Sequence, residues 1–161
     1  MSMGDAARKA REVGVVGDAT LRGFLGYHIK RAMAVLQADL NKVLKPFGLR
    51  MVTYSALVTI VDNPGLRQAQ LADALAIERP NLVVILDELE GAGLITRDKV
   101  PSDRRAYALN PTLKGRRLAE QATAANRADE ARLLQGLAPA DRNRVIEVMN
   151  QIEHGPGGAQ S

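Results

Sequence analysis

The sequence predicts a mainly α-helical fold carrying one small β-hairpin, on three observations. Apolar residues make up 46% of the 161-residue chain but aromatics only 3%, with no Trp. The core must therefore be Leu, Val, Ile, Ala and Met, which suits helix packed on helix. Apolar positions recur at steps of three and four through most of the chain, the period of an amphipathic helix. That period breaks between Leu94 and Leu109, where short apolar runs flank a polar, turn-rich stretch.

Taken in order, residues 1–20 are Gly- and Ala-rich and are expected to form a flexible arm. Leu21, Leu25, Ile29, Met33, Leu36, Leu40, Val43 and Leu44 stripe one helix over 21–44, closed by Pro46 and Gly48. A second helix over Thr53–Val61 turns Leu57, Ile60 and Val61 inward and ends at the turn signal Asp62-Asn63-Pro64-Gly65. A short helix follows over Gln68–Leu75, with Leu71, Ala72 and Leu75 on one face. After Ala76-Ile77-Glu78 a longer helix runs from Arg79 or Pro80 to Glu90, with Leu82, Val83, Leu86 and Leu89 as its inward face. Pro80 is tolerated because first-turn amides have no intrahelical partner. Gly91-Ala92-Gly93 ends that helix, with a glycine in the left-handed conformation.

Leu94–Arg97 and Arg105–Leu109 then read as two strands around a charged loop, Asp98–Arg104. Thr112 caps a helix from Leu113 to Leu134, Gly136 breaks it, and a last helix near Pro139 carries Val145, Ile146, Val148, Met149 and Ile152. Residues 153–161 are expected to be a flexible tail.

The order helix, short helix, longer helix, hairpin describes a winged helix-turn-helix over 53–110. Long apolar-striped helices over 21–46 and 113–152 flank it within one domain, 21–152. Having little else to pack on, they point to a homodimer rather than an intramolecular bundle.

Composition excludes several function classes. Cysteine is absent, so disulfides, thiol chemistry and cysteine-held metals are ruled out. The two histidines, His28 and His154, lie far apart, and a classical zinc enzyme needs more ligands. No apolar run reaches the roughly 18 residues of a membrane span. Val13-Gly14-Val15-Val16 is too short for a secretory core, so a cytoplasmic location is expected. There is no glycine-rich phosphate loop and no evident carboxylate pair, so no enzymatic activity and no cofactor are expected. The formal charge of +4 is compatible with nucleic acid but does not establish it.

The placement of charge says more. A helix entering the major groove presents polar side chains at its N-terminal end and hides the opposite face. Glu78-Arg79-Pro80-Asn81 supplies such a tip. Arg79 could pair with guanine or a phosphate and Asn81 with adenine; otherwise both are solvated first-turn residues. The hairpin adds Arg97, Lys99, Arg104 and Arg105 as candidate DNA contacts, with Lys99 placed to reach the backbone or minor groove. Asp103 and Arg105 could bond each other and fix the pitch of the hairpin. As a surface pair that bond contributes only about 0–1 kcal/mol, so its value would be geometric.

Leu86-Asp87-Glu88-Leu89-Glu90-Gly91-Ala92-Gly93-Leu94-Ile95-Thr96-Arg97, then Pro101-Ser102-Asp103-Arg104-Arg105, then Thr112-Leu113-Lys114-Gly115 resemble, in order and spacing, the MarR family of bacterial transcription regulators. Gln70-Leu71-Ala72 matches that family's first reader helix, and the resemblance spans Leu21 to Ile152. It implies a homodimer with interlocking terminal helices on a palindromic double-stranded operator. It also implies a repressor, released by a small molecule bound between the dimer helices and the reader. Arg79, Pro80 and Asn81 fall on the groove-reading face, Asp103 and Arg105 on the wing motif, and Lys99 near the wing tip, where an arginine is commoner. Three positions depart from the pattern. Arg67 stands where a capping Thr or Ser is usual and Gln70 where Glu is common, so the first reader helix lacks the standard capping box; the change at Arg67 can cost about 0.5–2 kcal/mol, offset in part by helix-end packing or Gln70. Pro111 replaces the usual Leu before Thr112, where a lost amide is tolerable.

An effector pocket is expected between the first helix and the 47–59 segment, with Tyr27, His28, Arg31, Met51 and Tyr54 as candidates. Arg31 or His28 could meet a carboxylate, Met51 and Tyr54 an aromatic ring. The same residues serve equally as core or dimer contacts. The segment resembles regulators of aromatic-acid breakdown, so an aromatic carboxylate or its coenzyme A thioester is the expected effector. Two other readings stay open: a winged protein–protein interaction module without DNA binding, and an activator.

Overall fold

The computed structural model describes residues 16–100 and 103–155, and the side chains of 103–106 are outside that description. The expected arm falls largely, and the expected tail mostly, outside the described residues. Two compact units divide at Lys42 and Val43.

The first unit holds a 3₁₀ turn, Leu21–Gly23, and most of α1, Leu25–Leu44. The helix thus begins later than its apolar stripe. Phe24 is extended, at φ −110° and ψ 127°, and its amide donates the last 3₁₀ bond, to Leu21 O at 3.0 Å. Among the described residues of this unit no side chain is buried. Leu21, Phe24, Leu25, Met33, Val35 and Leu36 are exposed.

The second unit continues through a 3₁₀ turn, Lys45–Phe47, to α2 (Met51–Asp62), β1 (Leu66–Arg67), α3 (Gln68–Ala74), α4 (Arg79–Gly91), β2 (Ile95–Val100), β3 (Asp103–Pro111), α5 (Leu113–Leu133) and α6 (Pro139–His154). Its core is aliphatic, as the composition requires. Leu44, Leu57, Ile60, Leu71, Leu82, Leu86, Leu89, Ile95 and Leu109 are fully buried among α2, α3, α4 and the sheet. Thr53 is buried with both functions satisfied. Its Oγ1 accepts from the Arg50 amide at 2.9 Å and donates to the Arg50 carbonyl at 3.0 Å. That bond starts α2 two residues earlier than the apolar pattern indicates.

The hairpin is part of a three-stranded antiparallel sheet in the order β1-β3-β2. Two residues are too short a strand to show alternation, so β1 is invisible in the sequence. The strands also extend into the predicted loop: β2 runs to Val100 and β3 starts at Asp103. Cross-strand pairing of Asp98 with Ala108 and Lys99 with Tyr107 holds polar residues in strand geometry.

The inward face of α4 needs one correction. Val83 is 40% exposed, and Ile85 takes its place beside Leu82, Leu86 and Leu89. Five consecutive apolar residues, 82–86, leave the helical phase undecided locally; the i, i+3, i+4, i+7 set is the one that packs. The end of α4 is as expected. Gly93 is left-handed at φ +69°, its amide donates to Glu90 O at 2.8 Å, and the Leu94 amide donates to Leu89 O at 2.9 Å.

Among the described residues no helix is long and apolar enough to cross a membrane.

Candidate nucleic-acid interface

The reader is α3, a four-residue turn and α4. Ala76 makes the turn at φ +50°, a conformation unusual for a residue with a Cβ. At the start of α3 the Arg67 amide donates to Gln70 Oε1 at 2.9 Å. This is half of a capping box. A guanidinium has no lone pair to return the bond, so the expected offset through Gln70 is present and the Thr or Ser half is missing. Backbone pairing supplies further support. β1 joins β3 in the register Leu66–Leu109 and Arg67–Ala108, which ties the first turn of α3 to the wing.

That arrangement surrounds a cleft of about 540 Å³ lined by Arg67, Gln68, Ala69, Arg79, Pro80, Val83 and Tyr107. Two guanidinium-bearing residues flank an apolar floor. Arg79, Pro80 and Asn81 are all exposed in the first turn of α4. Lys99, also exposed, is cross-strand partner to Tyr107, so both side chains stand on one face of the sheet. Arg67, Gln68 and Tyr107 are not among the DNA contacts expected from the sequence, where Arg67 figures only as a capping departure. A basic residue at the N-cap before the first reader helix and an aromatic in the second wing strand were the available signals.

Arg97 is engaged differently. Its side chain is only 24% exposed. It donates from Nε to Glu90 at 2.9 Å and pairs with Asp87 at 2.7 Å, both on α4. The Arg97 hydrogen bond holds the Glu90 carboxyl below its ordinary range, and the two carboxylates push the Arg97 guanidinium up. Arg97 thus fastens the wing to the reading helix. Asp98 is likewise occupied, accepting from Asn110 Nδ2 at 2.8 Å and Thr96 Oγ1 at 3.2 Å. Arg50, the N-cap of α2, pairs with Glu88 of α4. Asp103, Arg104 and Arg105 lie on β3, but their side chains, and with them the expected Asp103–Arg105 bond, fall outside the described residues.

The mount beneath the wing is set by Thr112. Its Oγ1 accepts from the Gly115 amide at 3.0 Å, capping α5, and donates to Gly93 O at 2.8 Å. Its amide donates to Leu94 O at 3.0 Å. Lys114 Nζ reaches Ala92 O at 2.7 Å. One short segment therefore closes the end of α4 and opens α5 together.

The expected effector residues fall in both units. In the first, Tyr27 donates to Asp18, which Arg22 Nε also meets at 2.8 Å. His28 Nε2 lies 2.9 Å from Arg22 O, and the Arg31 guanidinium sits 5.8 Å above the Tyr27 ring. Hydrogen bonds from Tyr27 and Arg22 hold the Asp18 carboxyl below its ordinary range. In the second unit Met51 is half-buried, and the Tyr54 hydroxyl bonds Thr123 of α5 at 3.0 Å. Among the described residues no group of three or more His, Asp or Glu is placed to hold a metal.

Known proteins resemble this chain along most of its length. The model of the MarR family matches residues 49–107. A protein of Thauera aromatica assigned as a transcriptional regulatory protein for the hcr operon is 33% identical over 135 residues, 83% of this chain and 81% of the relative. The repressor CouR, solved on a 23-mer DNA duplex, is 34% identical with a TM-score of 0.81, covering 86% of this chain and 98% of that one. CouR from Rhodococcus jostii RHA1 with p-coumaroyl-CoA gives 28% identity and a TM-score of 0.76, covering 87% and 98%.

Proposed function

The chain belongs to the MarR family of winged helix-turn-helix transcription regulators, DNA-binding rather than catalytic proteins, and from that premise we propose that it is a homodimeric, ligand-released repressor of a palindromic operator. The observation that carries this reading is the cleft at the start of α4. There Arg67 and Arg79 flank an apolar floor, and Lys99 stands on the same sheet face as Tyr107. Arg79, Pro80 and Asn81 meet base edges or adjoining phosphates in the major groove. Lys99, with Arg104 and Arg105, meets the backbone or minor groove, and Arg97 and Asp103 position the wing. The exposed apolar side chains of α1, and Val145, Ile146, Met149 and Ile152 of α6, are what a second copy covers. Two readers related by a two-fold axis require a two-fold operator.

The relatives support a small effector. CouR is described with p-coumaroyl-CoA, and another family member of similar fold, at a TM-score of 0.65, with salicylic acid. We assign an aromatic carboxylate or its coenzyme A thioester to this chain as its effector. A cytoplasmic location goes with operator binding.

The test is a footprint on the DNA upstream of the protein's own gene, with and without aromatic acids and their thioesters. A symmetric protected site, weakened by an effector, is expected. Arg79→Ala should lower affinity and relax sequence preference, and reporter expression should rise when the gene is removed. Absence of salt-dependent duplex binding would instead indicate a protein-interaction module. A fall in reporter expression would indicate an activator.

A further inference from the structure

The exposed face of α4 is not uniformly polar. Val83 is 40% and Val84 65% exposed, and both follow Arg79, Pro80 and Asn81 on the reading helix. Spacings of three and four put Pro80 with Val83 and Val84, and Arg79 with Val83, on one surface. Neither burial nor helix preference accounts for the valines. The core side of α4 is filled by Leu82, Ile85, Leu86 and Leu89, and β-branched side chains are weaker helix formers than alanine.

Further along the same surface come Asp87 and Glu88, which would repel phosphate. Both are paired, Asp87 with Arg97 and Glu88 with Arg50. The helix thus grades from a basic tip through an apolar patch to neutralised carboxylates. The first eight residues, Arg79 to Leu86, span about 12 Å, close to the width of the major groove.

The only apolar group that bases display in the major groove is the C5-methyl of thymine. We propose that Val83 and Val84 read thymine methyls, so that each operator half-site carries thymine opposite the first two turns of α4. This rests on the DNA-binding reading above. It adds apolar discrimination at the base pairs inward of those met by Arg79 and Asn81.

The probe is a duplex selected by the intact protein from a randomised pool, with each thymine replaced in turn by deoxyuridine, which lacks only the methyl. At one or two thymines per half-site the replacement should weaken binding about fourfold per methyl. Val83→Ala or Val84→Ala should bind more weakly and lose the methyl preference at the matched thymine. Both sites are exposed and alanine favours helix, so circular dichroism should match the parent. Should an alanine variant bind too weakly to compare, Val84→Thr, which keeps one methyl, should retain part of the preference. Indifference of the parent protein to every deoxyuridine overturns the proposal, as does an equal methyl penalty in parent and variants. A chain that selects no duplex overturns the DNA-binding reading as well, whereas binding without a methyl effect overturns this inference alone.

Discussion

Replacing Gly115 by Ala should destabilise the protein, although alanine is ordinarily the better residue in a helix. A Cβ built at position 115 would lie 2.0 Å from Leu94 O, 2.9 Å from Leu94 C and 3.3 Å from Leu94 Cα. An unstrained carbon–oxygen contact is about 3.3 Å, so the carbonyl must retreat by roughly 1.3 Å. It is not free to do so: Leu94 is buried and its carbonyl accepts from the Thr112 amide at 3.0 Å. Overpacking costs about 1–3 kcal/mol, and loss of that hydrogen bond about 1 more. Removing a helical glycine returns at most about 1 kcal/mol. The net loss is then about 1–3 kcal/mol, which at roughly 2–4 °C per kcal/mol lowers Tm by about 2–12 °C. The assay is thermal unfolding at fixed protein concentration, because the apparent stability of the proposed dimer would depend on concentration. Gly91→Ala is the control, since a Cβ there meets nothing within 4 Å. The reasoning is refuted if Gly115→Ala melts at or above the parent temperature.

Ala76 sits left-handed at φ +50°, so Ala76→Gly should relieve about 1–2 kcal/mol of strain against about 0.4–1 kcal/mol of added unfolded-state entropy. A modest rise in urea midpoint is expected, and a fall would show the turn to be unstrained. Because Arg97 lowers the Glu90 carboxyl, the pair's contribution is complete above the ordinary glutamate value of 4.5 and disappears as pH falls through the lowered one. Glu90→Gln should therefore be less stable than the parent at neutral pH and converge with it in acid; a gap constant across the titration excludes the ion pair as its source. Lys99→Ala should weaken binding to all duplexes alike and reduce the log–log salt slope by about 1 per site, with an unchanged slope arguing against a phosphate contact.

Much of the reader is legible without coordinates because its signals are local. Thr112 as a cap, a left-handed glycine after α4 and Pro80 in its first turn each depend on a few neighbouring residues. The helix–helix–hairpin order follows from where the apolar period changes, and family membership from the spacing between Leu86 and Gly115.

What needed the tertiary structure was every feature joining residues distant in the chain. β1 exists only because β3 lies beside it. Arg97 carries the same charge in sequence as Lys99, but folding places it against Glu90 and Asp87 while Lys99 stays exposed. The run of apolar residues from Leu82 to Leu86 admits more than one inward face, and packing against the core buried Ile85 and left Val83 and Val84 exposed. Gly115 looked like a motif letter; the Leu94 carbonyl, twenty-one positions away, is the reason no side chain fits there. Periodicity, caps and turns are set by short stretches of chain and were already determined by the sequence. Pairing of charges, choice of buried face and close backbone approach depend on which surfaces meet, and only the folded chain decides that.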